Sequence, residues 1–186
     1  MSRPGARMIR KLRRCESGSI AVEFALVAPV LIFILAGVVD IGGATYAKLS
    51  LDARVTATAE YALLQPAPAD QAAAEALAVK LIELLQGGAD DTAEVIVNNA
   101  ASATWTGSAV TTASRPGDAE MCYCPTLQGG DVTWGQAMEC TTPCASGESA
   151  GQFVQVSATT RHITIFPGYA FIDGDRIETR TVLRVP

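Results

Sequence analysis

The sequence predicts an α+β protein with a long N-terminal helix of membrane-spanning length and a second helix packed on a small antiparallel sheet stapled by disulfides. Three observations carry this. Residues 24–39 contain no charged residue, and counting back to Ile20 the apolar run is interrupted only by Glu23. Beyond Gly87-Gly88 the apolar pattern changes from helical spacing to segments rich in Val, Ile and Thr. Finally, Cys122, Cys124, Cys140 and Cys144 bracket a Gly- and Thr-rich stretch with few apolar residues of its own.

The elements follow in chain order. Residues 1–18 form a basic leader: Arg3, Arg7, Arg10, Lys11, Arg13 and Arg14 precede the apolar run and are six of the fourteen basic residues. Twenty residues at helical rise span a bilayer core of about 30 Å. Positive charge ahead of a first apolar segment keeps that end cytoplasmic, so the remainder is expected to face outward. The helix should run from near Ser19 to about Leu64, because Leu49, Ala53, Ala57 and Tyr61 recur at helical spacing and no breaker follows until Pro66 and Pro68. Pro29 removes one backbone hydrogen bond, either aiding packing against neighbours or simply tolerated as in other membrane helices. Gly42 and Gly43 are expected to add flexibility where the helix leaves the bilayer.

After Pro66-Ala67-Pro68, Asp70 can cap a second helix reaching about Leu85, with Leu77, Leu81, Leu84 and Leu85 on one side. Residues 94–98, 104–106, 153–166 and 176–185 read as strands. In the last, Ile177, Thr179, Thr181, Leu183 and Val185 alternate with Glu178, Arg180 and Arg184, the pattern of a half-buried antiparallel strand. Phe166-Pro167-Gly168 and Asp173-Gly174-Asp175 are expected turns. The boundaries are therefore a leader at 1–18, a transmembrane and stalk helix at 19–65, and an extracytoplasmic α+β domain at 66–186.

Charge is sharply partitioned. Residues 19–186 carry eight basic and eighteen acidic groups, which argues against nucleic-acid binding. Nothing marks an enzyme, a cofactor, a metal or a small-molecule substrate. His162 is the only histidine and has no sequence partner that makes it a base or ligand. Asp173-Gly174-Asp175 lacks the remaining carboxylates of a calcium loop, and Asp90-Asp91 reads as a solvated loop. Trp105, Tyr123 and Trp134 offer a contact patch or, more simply, part of a small core. A secretory signal would need a shorter apolar core, and a lipoprotein signal a cysteine after it, whereas Cys15 lies before it.

Export suits the cysteines. Cys15 leaves with the leader, and the remaining four allow three pairings. A Cys122–Cys124 ring would be too tight, so two long bridges joining Cys122 and Cys124 to Cys140 and Cys144 are expected. Zinc is the alternative, but C-x-C and C-x3-C depart from the usual spacing of structural zinc sites and an exported segment is oxidised.

Glu23 asks for a reason, since a carboxylate in a membrane helix costs about 2.5–3.5 kcal/mol on insertion scales. Cutting after Gly18 would give Ser19 a free amine four residues from Glu23, on the same helix face. The amine of one subunit could then neutralise the carboxylate of its neighbour; the plainer alternative is an anchor whose Glu23 snorkels to the headgroups. A basic leader, Gly18, Glu23 at the fifth and Phe24 at the sixth position after the cut resemble the processing site of type IV pilins. The continuation Ala21-Val22-Glu23-Phe24-Ala25-Leu26-Val27-Ala28-Pro29, then Gly37-Val38-Val39-Asp40-Ile41-Gly42 and Tyr46-Ala47, is similar to the TadE-like pseudopilins of bacterial tight-adherence (Flp) pilus systems. The resemblance is specific from about residue 10 to 65; Asp40 stands where Glu is usual and Gly43 where Arg is common. It implies a pilin-like fold, a structural role, and cleavage at Gly18-Ser19 by a prepilin peptidase. It further implies pilus assembly platform proteins and other pilins or pseudopilins as partners, in the bacterial inner membrane with the C-terminal domain periplasmic or in the pilus. The other reading is a bitopic envelope binding module with an uncleaved signal anchor.

Overall fold

The computed structural model of the chain describes residues 17–164 and 175–186, with side chains from residue 20 onward. Residues 1–16 of the leader and the turns expected at 166–168 and 173–174 lie outside the described residues.

The first helix, α1 (Ser17–Leu63), is continuous over 47 residues with Pro29 inside it, a rod of about 70 Å at helical rise. Its two halves have different surroundings. From Ile20 to Leu49 the large apolar side chains are exposed, Phe24 at 68% and Leu26 at 73%, while Ala44 and Ala47 pack partly against the core. From Leu51 onward the stripe Leu51, Val55, Thr58 and Ala62 is buried against the rest of the protein. Of Leu49, Ala53, Ala57 and Tyr61, which mark the helix in the sequence, the first three face away from that core and Tyr61 packs partly against it. Helical periodicity establishes the helix without telling which of two apolar stripes will be covered. Gly42 and Gly43 do not interrupt the helix.

The second helix, α2 (Gln71–Leu85), starts where expected: Asp70 is its N-cap, with Oδ1 accepting from the Ala73 N–H at 2.7 Å. Ala74, Leu77, Ala78, Leu81, Ile82 and Leu85 form its buried face. Leu84 was expected there and instead points outward, 49% exposed; Ile82 takes its place because the buried arc centres on Ala78 and Leu81.

Among the described residues seven strands follow: β1 (Thr92–Val97), β2 (Ala101–Trp105), β3 (Val110–Ser114), β4 (Thr126–Gln128), β5 (Asp131–Thr133), β6 (Phe153–Arg161) and β7 (Arg176–Arg184). Five form one sheet in the order β3-β2-β1-β6-β7, with every pair antiparallel. β3 was not expected from sequence, because Thr111, Thr112 and Ser114 on a largely exposed edge carry little apolar alternation. β4 and β5 form a separate hairpin turned by Gly129 and Gly130, both at positive φ, which a two-residue hairpin turn requires.

The sheet buries one face under both helices. Ala93, Val95, Val97, Ala101, Ala103, Val154, Val156, Ala158 and Ile177 meet Leu51, Val55, Leu77, Leu81, Ile82 and Leu85 in one core. The many alanines on the strands bring the helices close. On the opposite face, Ile96 and Phe153 meet Tyr123, Trp134 and Val132 from the segment between β3 and β6 in a second, smaller core.

Leu81 is fully buried and Leu84 half exposed on the same turn of α2, so the pair reports the helix's orientation. Leu81→Ala is expected to destabilise the domain by about 2–5 kcal/mol and Leu84→Ala by no more than about 0.5 kcal/mol in urea unfolding of the full chain in detergent. Equal costs would mean that α2 packs by a different face.

Candidate functional site

The N-terminal half of α1 is the first candidate. Its backbone is helical from Ser17, which places Gly18 and Ser19 in the first turn and Glu23 one turn further on the same face as Ser19. Glu23 and Phe24 are both exposed. The span Ile20–Leu63 is long and apolar enough to cross a membrane, with a mean hydropathy of 2.6 in its most apolar window and only 6% of that window buried. The described part of the domain leaves most of this apolar surface exposed.

Where the rod meets the domain, polar contacts take over. Asp40 is largely buried, and its Oδ1 lies 3.4 Å from Nε2 of His162, just past the end of β6. The histidine that sequence reasoning left without a partner is therefore a contact between sheet and helix. Gly43 makes room for it: a Cβ there would come within 3.3 Å of the His162 ring. Two turns on, Lys48 donates to the Glu178 carbonyl at 2.8 Å and to the Thr179 hydroxyl, and pairs with Asp52 at 3.1 Å. Thr179 in turn donates to Asp52. That hydrogen bond first, against an opposing effect of burial and with help from Lys48, holds the Asp52 carboxyl below its ordinary value. At the next level Arg54 donates to Asp91 at 2.9 Å. Asp91 was expected to be a solvated loop residue; its side chain is only 13% exposed and ties the segment after α2 to the rod.

The stapled lobe is the second candidate. The structure pairs Cys122 with Cys140 and Cys124 with Cys144, with Cα–Cα distances of 4.8 and 5.7 Å. Loops of this length correspond to about 3 kcal/mol each in the chain-entropy account. Cys122 and Met138 exchange backbone hydrogen bonds of 2.9 Å in both directions, and Tyr123 does the same with Gly151 at 2.8 and 3.1 Å. Tyr123 and Trp134 are buried edge to face, ring centroids 6.0 Å apart, so they form a core rather than a contact patch. Trp105 lies on the other face of the sheet, against the main core.

Asn98 is a structural residue that the sequence reading missed. Fully buried, it sits with Asn99 at positive φ in the β1–β2 turn, and its Nδ2 reaches the carbonyls of Ala119 at 2.9 Å and Met121 at 2.7 Å. It anchors the start of the stapled lobe to the sheet. The Asn98-Asn99 dipeptide was the available signal, since asparagine tolerates the positive φ that both residues adopt in this turn.

Among the described residues no group of three or more His, Cys, Asp or Glu side chains could hold a metal ion. The polar clusters join α1 to the rest of the domain. They fix the rod's rotation and depth against the domain.

Residues 18–60 match the family model described as TadE-like protein. The match takes in Gly18, Ser19, Glu23, Phe24, Asp40 and nearly all of α1, and ends before α2, the sheet and the stapled lobe. No curated protein and no solved structure matches the chain.

Burial pushes the Asp91 carboxyl up, but hydrogen bonds from Thr160, Arg54 and the Gly88 N–H outweigh it and hold the group below its ordinary value. A folded-state value below the unfolded one gives stability that is present above about pH 3.9, the ordinary carboxylate value, and lost as pH falls through the folded-state value. Asp91→Asn should therefore be less stable than wild type at pH 7, and the gap should close in acid unfolding below about pH 3.9. A gap independent of pH would assign the loss to packing instead.

Proposed function

We propose that this chain, TadE-like over residues 18–60, is the precursor of a minor pilin or pseudopilin of a tight-adherence pilus. The single observation that carries the reading is a mostly exposed apolar helix whose first turns hold the Gly18-Ser19 bond and an exposed Glu23. In this reading residues 1–18 stay cytoplasmic, α1 crosses the inner membrane once, and residues 66–186 stand on the periplasmic side. A prepilin peptidase removes the leader, and assembly platform proteins lift the mature subunit to meet other pilins. Polar outer faces and two disulfides suit an exported domain.

The chemistry of assembly follows from charge. A mature Ser19 ammonium, with a reference pKa of about 7.7–8.0 for an α-amino group, is positive near neutral pH. The Glu23 carboxylate of an axially offset neighbour can pair with it. Two charges that would each be costly in lipid then neutralise one another between subunits, so apolar packing and one ion pair select the stacked arrangement. α1 carries only apolar and small residues over 24–39, so adjacent rods can approach closely along that length.

N-terminal sequencing of membrane-purified protein is expected to begin at Ser19, and Gly18→Leu should leave a chain about eighteen residues longer, since a peptidase working at the bilayer surface has to fit a small residue beside the cut. A wild-type chain starting at Met1 or Ser2 would instead favour an uncleaved anchor carrying a binding module. Glu23→Gln keeps size and removes charge. It should insert and be cleaved normally yet fail to co-purify with pilin partners, whereas a snorkelling role for Glu23 requires normal assembly.

A further inference from the structure

We propose that β3 is a docking edge for an extended segment of a different exported protein, which adds a strand to the sheet and sets a lysine or arginine beside Glu75. β3 is the end strand of the five-stranded sheet, and Thr111, Thr112, Ala113 and Ser114 are all exposed. The residues outside the described range attach at Ser17, the far end of the rod, and between Thr164 and Asp175, beside β6 and β7. β7 is the opposite edge, four strand spacings or about 19 Å from β3.

Backbone geometry selects the kind of partner. Arg115 donates its N–H to the Ala100 carbonyl at 2.7 Å, and Thr106 donates to the Ala109 carbonyl at 3.2 Å. Odd-numbered residues along β3 thus turn their backbone groups to β2, so Val110, Thr112 and Ser114 turn theirs outward. Three donors and three acceptors in a row at strand spacing match the backbone of one added strand. The usual guards of an edge are missing: Val110–Ser114 holds no charge and no proline, and it pairs with β2 without a bulge. The β7 edge is guarded, with Arg176, Glu178, Arg180 and Arg184 along it and the Glu178 carbonyl taken by Lys48.

Charge selects what the segment carries. Ser114 stands on the helix side of the sheet, opposite buried Ala101, and its hydroxyl donates to Glu75 Oε1 of α2 at 3.0 Å. Gln71 donates to the same oxygen at 3.0 Å. The carboxylate is held at the rim of the edge with Oε2 open among the described residues, and a cation on the added residue facing Ser114 completes it. A second copy is excluded by direction, the one step that rests on the membrane-anchored reading above. Two β3 strands close a symmetric pair only antiparallel about Thr112, on a two-fold axis normal to the sheet. α1 runs alongside β7 in the same sense, from Asp40 at His162, whose N–H bonds Asp175, to the chain just past its end, where Ala67 donates to the Pro186 carbonyl. Such an axis turns the second rod end for end, whereas rods held in one bilayer point the same way. It would also bring Val110, not a cation, to Ser114.

The test uses the full chain in mild detergent and two short probe peptides of alternating valine and threonine, one with a lysine and one with a glutamate at the same position. Binding is read by fluorescence anisotropy and by amide hydrogen exchange. Wild type should bind the lysine peptide about threefold more tightly than the glutamate peptide, the scale of one exposed ion pair, and binding should slow exchange at the Val110, Thr112 and Ser114 amides. Thr112→Pro removes an outward N–H without taking a bond from β2, so it should abolish binding and leave urea unfolding near that of wild type. Glu75→Gln should bind both peptides equally. Failure of wild type to bind either peptide, binding that a folded Thr112→Pro leaves intact, or a lysine preference that survives Glu75→Gln overturns this inference alone. A wild-type dimer that Thr112→Pro separates assigns the edge to a second copy and overturns it too. A chain extracted from membranes by carbonate overturns the membrane reading and, with the exclusion of a second copy gone, this inference together with it.

Discussion

Everything in this protein is arranged around a stretch of backbone and side chains that cannot rest in water. Residues 24–39 have no charge, and their large apolar side chains are mostly exposed among the described residues. In lipid, a single segment satisfies its own backbone groups only as a helix, and the same helix continues without a break into the folded domain. Continuity makes the two halves mechanically one object. The direction and rotation of the membrane-length half are set by how the other half sits on the sheet.

That seating combines a non-directional and a directional element. Burial of Leu51, Val55 and Ala62 against small strand residues such as Ala158 provides the attraction, yet an apolar stripe on alanines can slide. Asp40 with His162, Lys48 with Glu178 and Thr179, and Arg54 with Asp91 form a ladder of polar contacts at successive heights along the rod. The Lys48–Asp52 pair beside them is exposed and contributes little to stability, whereas Asp40 with His162 and Arg54 with Asp91 are largely buried. Their value is positional, because each is satisfied at only one depth and one rotation.

The stapled lobe solves a different problem. Residues between β3 and β6 are too polar to collapse unaided, and they cover the sheet's outer face with just Tyr123, Trp134 and Val132. Two cross-links and the buried Asn98 hold those few apolar groups in place. The TadE-like match stops before this lobe, so the part of the chain best placed to vary its contacts is also the part whose shape depends least on a large core.

The order of elements, the long helix with Pro29 inside it, the cap at Asp70, the strand alternation in β7 and the even set of cysteines at 122–144 were legible in the chain, because each depends on neighbours a few residues away or on simple counting. Contacts between distant segments were not. Leu49, Ala53 and Ala57 are as apolar and as regular as Leu51, Val55 and Ala62, and only the sheet's position chooses between the two stripes. His162 looked idle because Asp40 is more than a hundred residues away, and Asp91 looked solvated because Arg54 lies on another element. β3 escaped notice since an edge strand is held by the backbone of β2 more than by its own side chains. Local propensity and apolar period are written along the chain; which equally apolar face is buried, and which charges meet, depends on the free energy of the whole packed arrangement.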